Sequence, residues 1–259
     1  MGWTTIQRKE QIPDEPYRKM LLTLMERQAS REIAGAEVFG QCLIHAPTYE
    51  HKLQLVRLQR EELKHFKLIA DLLAEFGIDV ETFVRNGQRG ESRFTGNAAD
   101  LQVEDWIDGA LFNFMTDRAA TFQLAEYAKG SYVPLAKATR IVVRDEEFHT
   151  RFGEMCVEEL CREPAARREV QRRFAKWFGG AMRIFGRPGT PGNRYCIEVG
   201  LKARDSAAIA ADYLDSLRPV LARCGLTFPR RDEVALELPP QLDLTVPAVS
   251  DGELQAAGR

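Results

Sequence analysis

The sequence predicts an all-α fold: a four-helix bundle with a long crossover between helices 2 and 3, two additional C-terminal helices and an extended tail. Three observations carry this. Apolar residues recur at helical spacing through the first two-thirds of the chain. Two short breaks, Ala46-Pro47-Thr48 and Gly130–Pro134, flank one long glycine-containing connection, the order of a bundle with a single crossover. Two Glu-x-x-His tetrads fall on the second and fourth helices, in a chain with four histidines.

Helix 1 is expected from about Asp14 to Ile44, with Leu21, Met25, Ala29, Ala36 and Phe39 on one stripe, Asp14 as cap and Pro16 in the first turn. Helix 2 runs from about Thr48 to Phe76 with Leu55, Leu58, Phe66, Ile69 and Leu73 aligned, and Gly77 stops it. Residues 78–99 contain Asn86, Gly87, Gly90 and Gly96 and read as the crossover, with at most a turn of helix. Helix 3 is expected over Asp100–Lys129 and helix 4 over Pro134–Cys161. Two more follow near Ala165–Phe185 and Asn193–Cys224. The domain organisation is thus an N-terminal arm (1–13), a helical domain (14–225) and a Pro-rich tail (226–259), the last expected to be disordered or to lie on a partner.

The 259 residues can bury a substantial core, and 44 % apolar with 29 % charged residues is ordinary soluble usage. A net charge of −2 gives no reason to expect nucleic acid or an anionic membrane as partner. The N-terminus has no apolar core of a secretory signal, and no run of 18 apolar residues exists, so a cytoplasmic protein without a membrane span is expected. Cys42, Cys156, Cys161, Cys196 and Cys224 are scattered without a CxxC and read as free thiols.

Chemistry concentrates in Glu62-Leu-Lys-His65 and Glu146-Glu-Phe-His149. A separation of three places Glu and His on one helical face, a turn apart. Each pair lies on a largely apolar stripe, whereas Glu61 and Glu147 neighbour arginines and lysines. A carboxylate on a buried face needs a cation or a metal.

Two further carboxylates are required from helices 1 and 3. In an antiparallel hairpin, residues at one depth are equidistant from the loop. Glu32 and Glu62 lie 15 residues on either side of Pro47, and Asp117 and Glu146 are centred within the Gly130–Pro134 break. Glu126 is set aside because its midpoint with Glu146 falls inside helix 4. Glu37 is a weaker choice, open if the first loop is longer. The two halves repeat: 30 residues from Glu32 to Glu62, 29 from Asp117 to Glu146. The residue before each tetrad, Glu61 or Asp145, is acidic. Crosswise pairing of Asp145 with His65 and Glu61 with His149 would orient the imidazoles, and surface ion pairs with nearby Arg and Lys are the alternative. His45 and His51 flank the loop and are expected at the surface. Phe39, Phe114 and Phe122 either line a cavity or fill the core.

Four carboxylates and two imidazoles suit iron, or a manganese–iron pair, better than zinc. The expected ligands are Glu32, Glu62, His65, Asp117, Glu146 and His149, with dioxygen as co-substrate.

This constellation, with the run Asn113-Phe114-Met115-Thr116-Asp117-Arg118-Ala119-Ala120, resembles the catalytic subunits of the phenylacetyl-CoA and benzoyl-CoA epoxidases, which are ferritin-like di-iron oxygenases. The Asp on helix 3 is the discriminating feature, and the resemblance covers roughly residues 14–225. It implies oxygen-dependent epoxidation of an aromatic ring carried as a CoA thioester, electrons from a flavin and iron–sulfur reductase, and a homodimer or a hetero-oligomer with a chain of the same fold. Retention of all six ligands resembles the catalytic member. Lys202, Arg204 and Arg218 are candidate phosphate contacts, set against a simple solvated face. The competing readings are a di-iron oxidase or hydroxylase of a secondary metabolite or tRNA, an iron store, and a non-catalytic partner subunit.

Overall fold

The computed structural model describes residues 3–89 and 102–247, and the architecture is an all-α, ferritin-like bundle. Helix α1 (Glu15–His45) starts where Asp14 accepts the Tyr17 amide at 2.7 Å, with Pro16 in the first turn, and it packs along α2 (Tyr49–Glu75), which Thr48 caps. The crossover contains a helix, α3 (Glu81–Arg89), longer than the single turn expected. Asp79 initiates it by accepting the Glu81 amide. Residues 90–101, which include Gly90, Gly96 and the expected start of helix 3, lie outside the described residues.

Helix 3 is a composite. It begins at Trp106, because Asp105 caps the Ile107 and Asp108 amides, and it passes through α4 (Trp106–Leu111), a π-helical stretch (Phe112–Asp117) and α5 (Arg118–Tyr127). Helix α6 (Val133–Cys161) returns against α5 and α2. Helix α7 (Pro164–Phe185) covers the π-helical stretch and α5.

The sixth expected helix is two: α8 (Pro191–Glu198) and α9 (Ser206–Cys224). Gly200 separates them with a φ of +76°, and a Cβ there would run into the Trp3 indole, so both backbone and space require glycine.

The Pro-rich stretch also departs from expectation. It is extended but docked: Phe228, Val234, Leu238 and Leu242 are buried in the core that holds Phe174, Trp177 and Phe178 of α7. The Arg231 guanidinium donates to the carbonyls of Leu238, Pro239, Pro240 and Leu242, replacing the backbone pairing that a helix would supply. Residues 248–259 lie outside the described residues. His51, expected at the surface, is buried, with Trp106 edge-on at 5.0 Å and its ring nitrogens beside Thr48 and Glu159. All five cysteines are buried and unbridged. Among the described residues no helix is long and apolar enough to cross a membrane.

Candidate metal centre

Glu32 of α1, Glu62 and His65 of α2, Asp117 at the end of the π-helical stretch, and Glu146 and His149 of α6 are all buried and converge at mid-bundle. Ligating atoms of Glu62, Asp117, Glu146 and His149 all lie within 4.8 Å of one another, as do those of Glu32, Glu62 and His65. Glu62 belongs to both groups. Glu146 also spans them, with Oε1 3.4 Å from His65 Nδ1 and Oε2 3.1 Å from His149 Nδ1. His149 Nδ1 is 3.2 Å from Asp117 and 3.3 Å from Glu62, and His65 Nδ1 is 3.7 Å from Glu32.

The outward nitrogens follow the crosswise pattern. His149 Nε2 meets Glu61 at 3.1 Å and His65 Nε2 lies 3.6 Å from Asp145. Both acids keep surface partners too, Arg57 on Glu61 at 3.0 Å and Arg144 on Asp145 at 3.5 Å, so orienting contacts and surface ion pairs coexist at these residues.

Four buried atoms facing the centre, Glu62 Oε1, His65 Nδ1, Glu146 Oε2 and His149 Nδ1, have no partner in hydrogen-bonding geometry. Orphaned polar atoms in a dry interior are costly, and here they surround one point. Without a metal, protons take the cations' place. Burial, then the Glu32 charge, raises Glu62 well above the carboxylate range. Burial and the Glu146 charge raise Asp117 to about 6. Burial would raise Glu146 too, but His149 and His65 outweigh it and hold it at about 2. Burial would lower His65, yet Glu146 and Glu32 raise it to about 11; Glu146 and Asp117 likewise raise His149.

Two supporting residues are not apparent from the sequence. Gln28 donates to Glu32 at 2.7 Å and Asn113 donates to Asp117 at 3.1 Å. Each amide stands four residues before the one carboxylate its helix contributes to the centre, and that repeated spacing was the available signal. Two glycines make room. A Cβ on Gly153 of α6 would lie 2.5 Å from Asn113 Oδ1 and 2.8 Å from the Phe114 amide, so the wide π-helical turn requires its absence. A Cβ on Gly35 would lie 2.8 Å from Glu62 Oε2.

The rival carboxylates are engaged elsewhere. Glu37 is exposed. Glu126 is fully buried but paired with Arg204 at 2.9 Å and with the Ala203 amide at 3.2 Å. Lys202 donates to Ser206, and Arg218 donates to the Asp243 and Thr245 carbonyls, so the three basic residues considered as phosphate contacts all have partners within the chain.

A cavity of about 150 Å³ adjoins the carboxylates of Glu32, Glu62, Asp117 and Glu146, bounded by α1, the π-helical stretch with α5, and α7. Val38, Phe112, Ala120, Leu124 and Ile184 form its apolar wall, and Thr116, Arg31 and Arg183 add polar groups. Phe39 and Phe114 fill the core instead, with Phe122 packed against it. A second cavity of about 250 Å³ shares Arg31 and Ile184 with the first and carries Arg27, Arg187 and Lys202.

Residues 3–237 match a family described as "Phenylacetic acid catabolic protein". The chain is 23 % identical over 232 residues to one of the subunits of 1,2-phenylacetyl-CoA epoxidase from Escherichia coli (strain K12), covering 88 % of this chain and 74 % of that protein. It is 30 % identical over 152 residues to benzoyl-CoA oxygenase component B of Aromatoleum evansii, covering 56 % of this chain and 32 % of that protein.

Proposed function

The chain belongs to the phenylacetic acid catabolic protein family, and on that premise we propose that it is the catalytic subunit of a di-iron, oxygen-dependent oxygenase acting on a small acyl thioester. The observation that carries this is the pair of overlapping donor groups, whose orphaned buried atoms all face one centre. The donor set fits two irons: four carboxylates and two imidazoles are hard and intermediate donors, and the centre holds no thiolate. Glu32, Glu62 and His65, with Glu146 beside them, would hold one metal, and Glu62, Asp117, Glu146 and His149 would hold the other. Bound iron supplies the electrons that activate dioxygen.

The chain's own residues do the rest. Gln28, Asn113, Glu61 and Asp145 orient the ligands. The apolar wall of the 150 Å³ cavity excludes water and admits an aromatic or short acyl group beside the carboxylates. The adjoining cavity, with Arg27 and Arg187 in its lining, suits an anionic carrier such as CoA. Both relatives carry names that mark them as parts of larger enzymes, which supports assembly with further chains.

Metal analysis of purified protein, followed by rapid mixing of the reduced form with oxygen, tests the reading. Two irons per chain and fast reoxidation are expected. Absence of iron, or a reduced form inert to oxygen, rejects it. A manganese–iron pair would appear in the same metal analysis.

A further inference from the structure

The outer face of α2 and α6 carries a charge and apolar pattern that the centre beneath it does not use. The two helices run antiparallel, with His149 beside Glu61 and Glu62, and His65 beside Asp145 and Glu146. Their outward stripes therefore lie side by side, and Arg57 of α2 stacks over Phe148 of α6 at 3.9 Å. Tyr49, Leu53, Val56 and Leu63 of α2, with Ile141 and Met155 of α6, are exposed apolar side chains at helical spacing. Between Tyr49 and Lys67 and between Lys137 and Met155, the fully exposed charged residues are eight basic and two acidic, with basic Lys52 and acidic Glu61, Asp145 and Glu154 half-buried among them. The whole chain, in contrast, has a net charge of −2. This face is thus positive on a slightly negative protein, with an apolar strip through it.

We propose that the α2–α6 face is the docking surface for an acidic electron-transfer protein, one presenting carboxylates around a one-electron centre. Charge complementarity selects an acidic partner and disfavours a second copy of this chain, which would bring two positive faces together. Position selects an electron donor. Asp145, whose side chain is 30 % exposed, and Glu61 sit within this face and touch the outward nitrogens of His65 and His149. The cavity beside the carboxylates lies on the other side of the centre, against α1, α5 and α7, so a docked protein here leaves it open. The inference rests on the di-iron reading for its purpose, while the surface itself is independent of the metal.

The test uses the full chain and an acidic plant-type [2Fe–2S] ferredoxin as probe, with Arg60→Glu/Lys64→Glu as the face variant and Arg162→Glu/Arg168→Glu on and beside α7 as control. Binding is measured by calorimetry at low and high salt, and reduction of the centre by reduced ferredoxin and by dithionite. The face variant should weaken ferredoxin binding and slow ferredoxin reduction at least tenfold, leave dithionite reduction unchanged, and lose the salt dependence that the wild type and control retain. Equal binding by face variant and wild type overturns the proposal, as does absence of ferredoxin binding by wild type. A dimer of this chain cross-linked through Lys64 also overturns it. Salt-dependent binding through this face by a chain that holds no iron would uphold the docking surface and reject the di-iron reading. An iron-loaded chain that ignores the ferredoxin would do the reverse.

Discussion

His149 and Glu61 meet between α6 and α2, imidazole Nε2 to carboxylate Oε2 at 3.1 Å. With Nε2–H donating to Glu61, Nδ1 is the nitrogen left facing Glu62, Asp117 and Glu146. Glu61 stays ionised for this role: burial would raise its pKa, but Arg57 and His149 lower it below the usual carboxylate value. Glu61→Ala should weaken iron binding by about 10–100-fold, the usual cost of losing such an orienting carboxylate. Anaerobic iron(II) titration of the two proteins measures this, and equal affinities would remove Glu61 from the site.

His65→Ala and Glu146→Ala each delete a donor at the junction of the two groups. Both variants should purify without iron while keeping their helical content by circular dichroism, because most of the bundle's buried apolar residues lie away from the centre. Full activity in either variant would refute the site.

Iron binding should strengthen with pH. Without metal, Asp117 is protonated up to about pH 6 and His65 up to about pH 11, and a metal displaces both protons. Affinity should rise about tenfold per pH unit for each proton displaced. The stability of the metal-free chain follows the same shifts. The His65 contribution is complete below its ordinary 6.5 and is lost as pH rises through about 11, while Asp117 makes the fold less stable as pH rises from 3.8 to about 6. Proton release during iron titration in weak buffer reads the first effect, and a pH-independent affinity contradicts it.

Gly153→Ala should destabilise the chain by about 1–3 kcal/mol despite alanine's better helix propensity. The added methyl meets Asn113 and the π-helical backbone, which must move and take Asp117 with them. A melting temperature lower by several degrees together with reduced iron content is expected. An unchanged melt would mean that the π-helical turn relaxes freely.

Arg204→Ala separates structure from site. It strips the guanidinium from fully buried Glu126, leaving the Ala203 amide and distant Lys129 as partners. Stability should drop by about 1–3 kcal/mol with iron content unchanged. Iron loss in this variant would return Glu126 to the candidate ligands.

The sequence by itself determined the helical bundle, its single crossover and the depth at which Glu32, Glu62, Asp117 and Glu146 meet. Helical periodicity and loop symmetry are local quantities, and carboxylates on apolar stripes declare their burial. The rest depended on contacts between distant segments. The π-helical turn that presents Asp117 exists because Gly153, 36 residues after it, leaves space for it. Gln28 and Asn113 read as ordinary polar residues until their amides are seen on Glu32 and Asp117. His51 is buried because Trp106 packs on it, and the Pro-rich stretch is held because α7 offers an apolar face and Arg231 satisfies its carbonyls. Periodicity reports which face of a helix is buried; only tertiary packing decides what it is buried against.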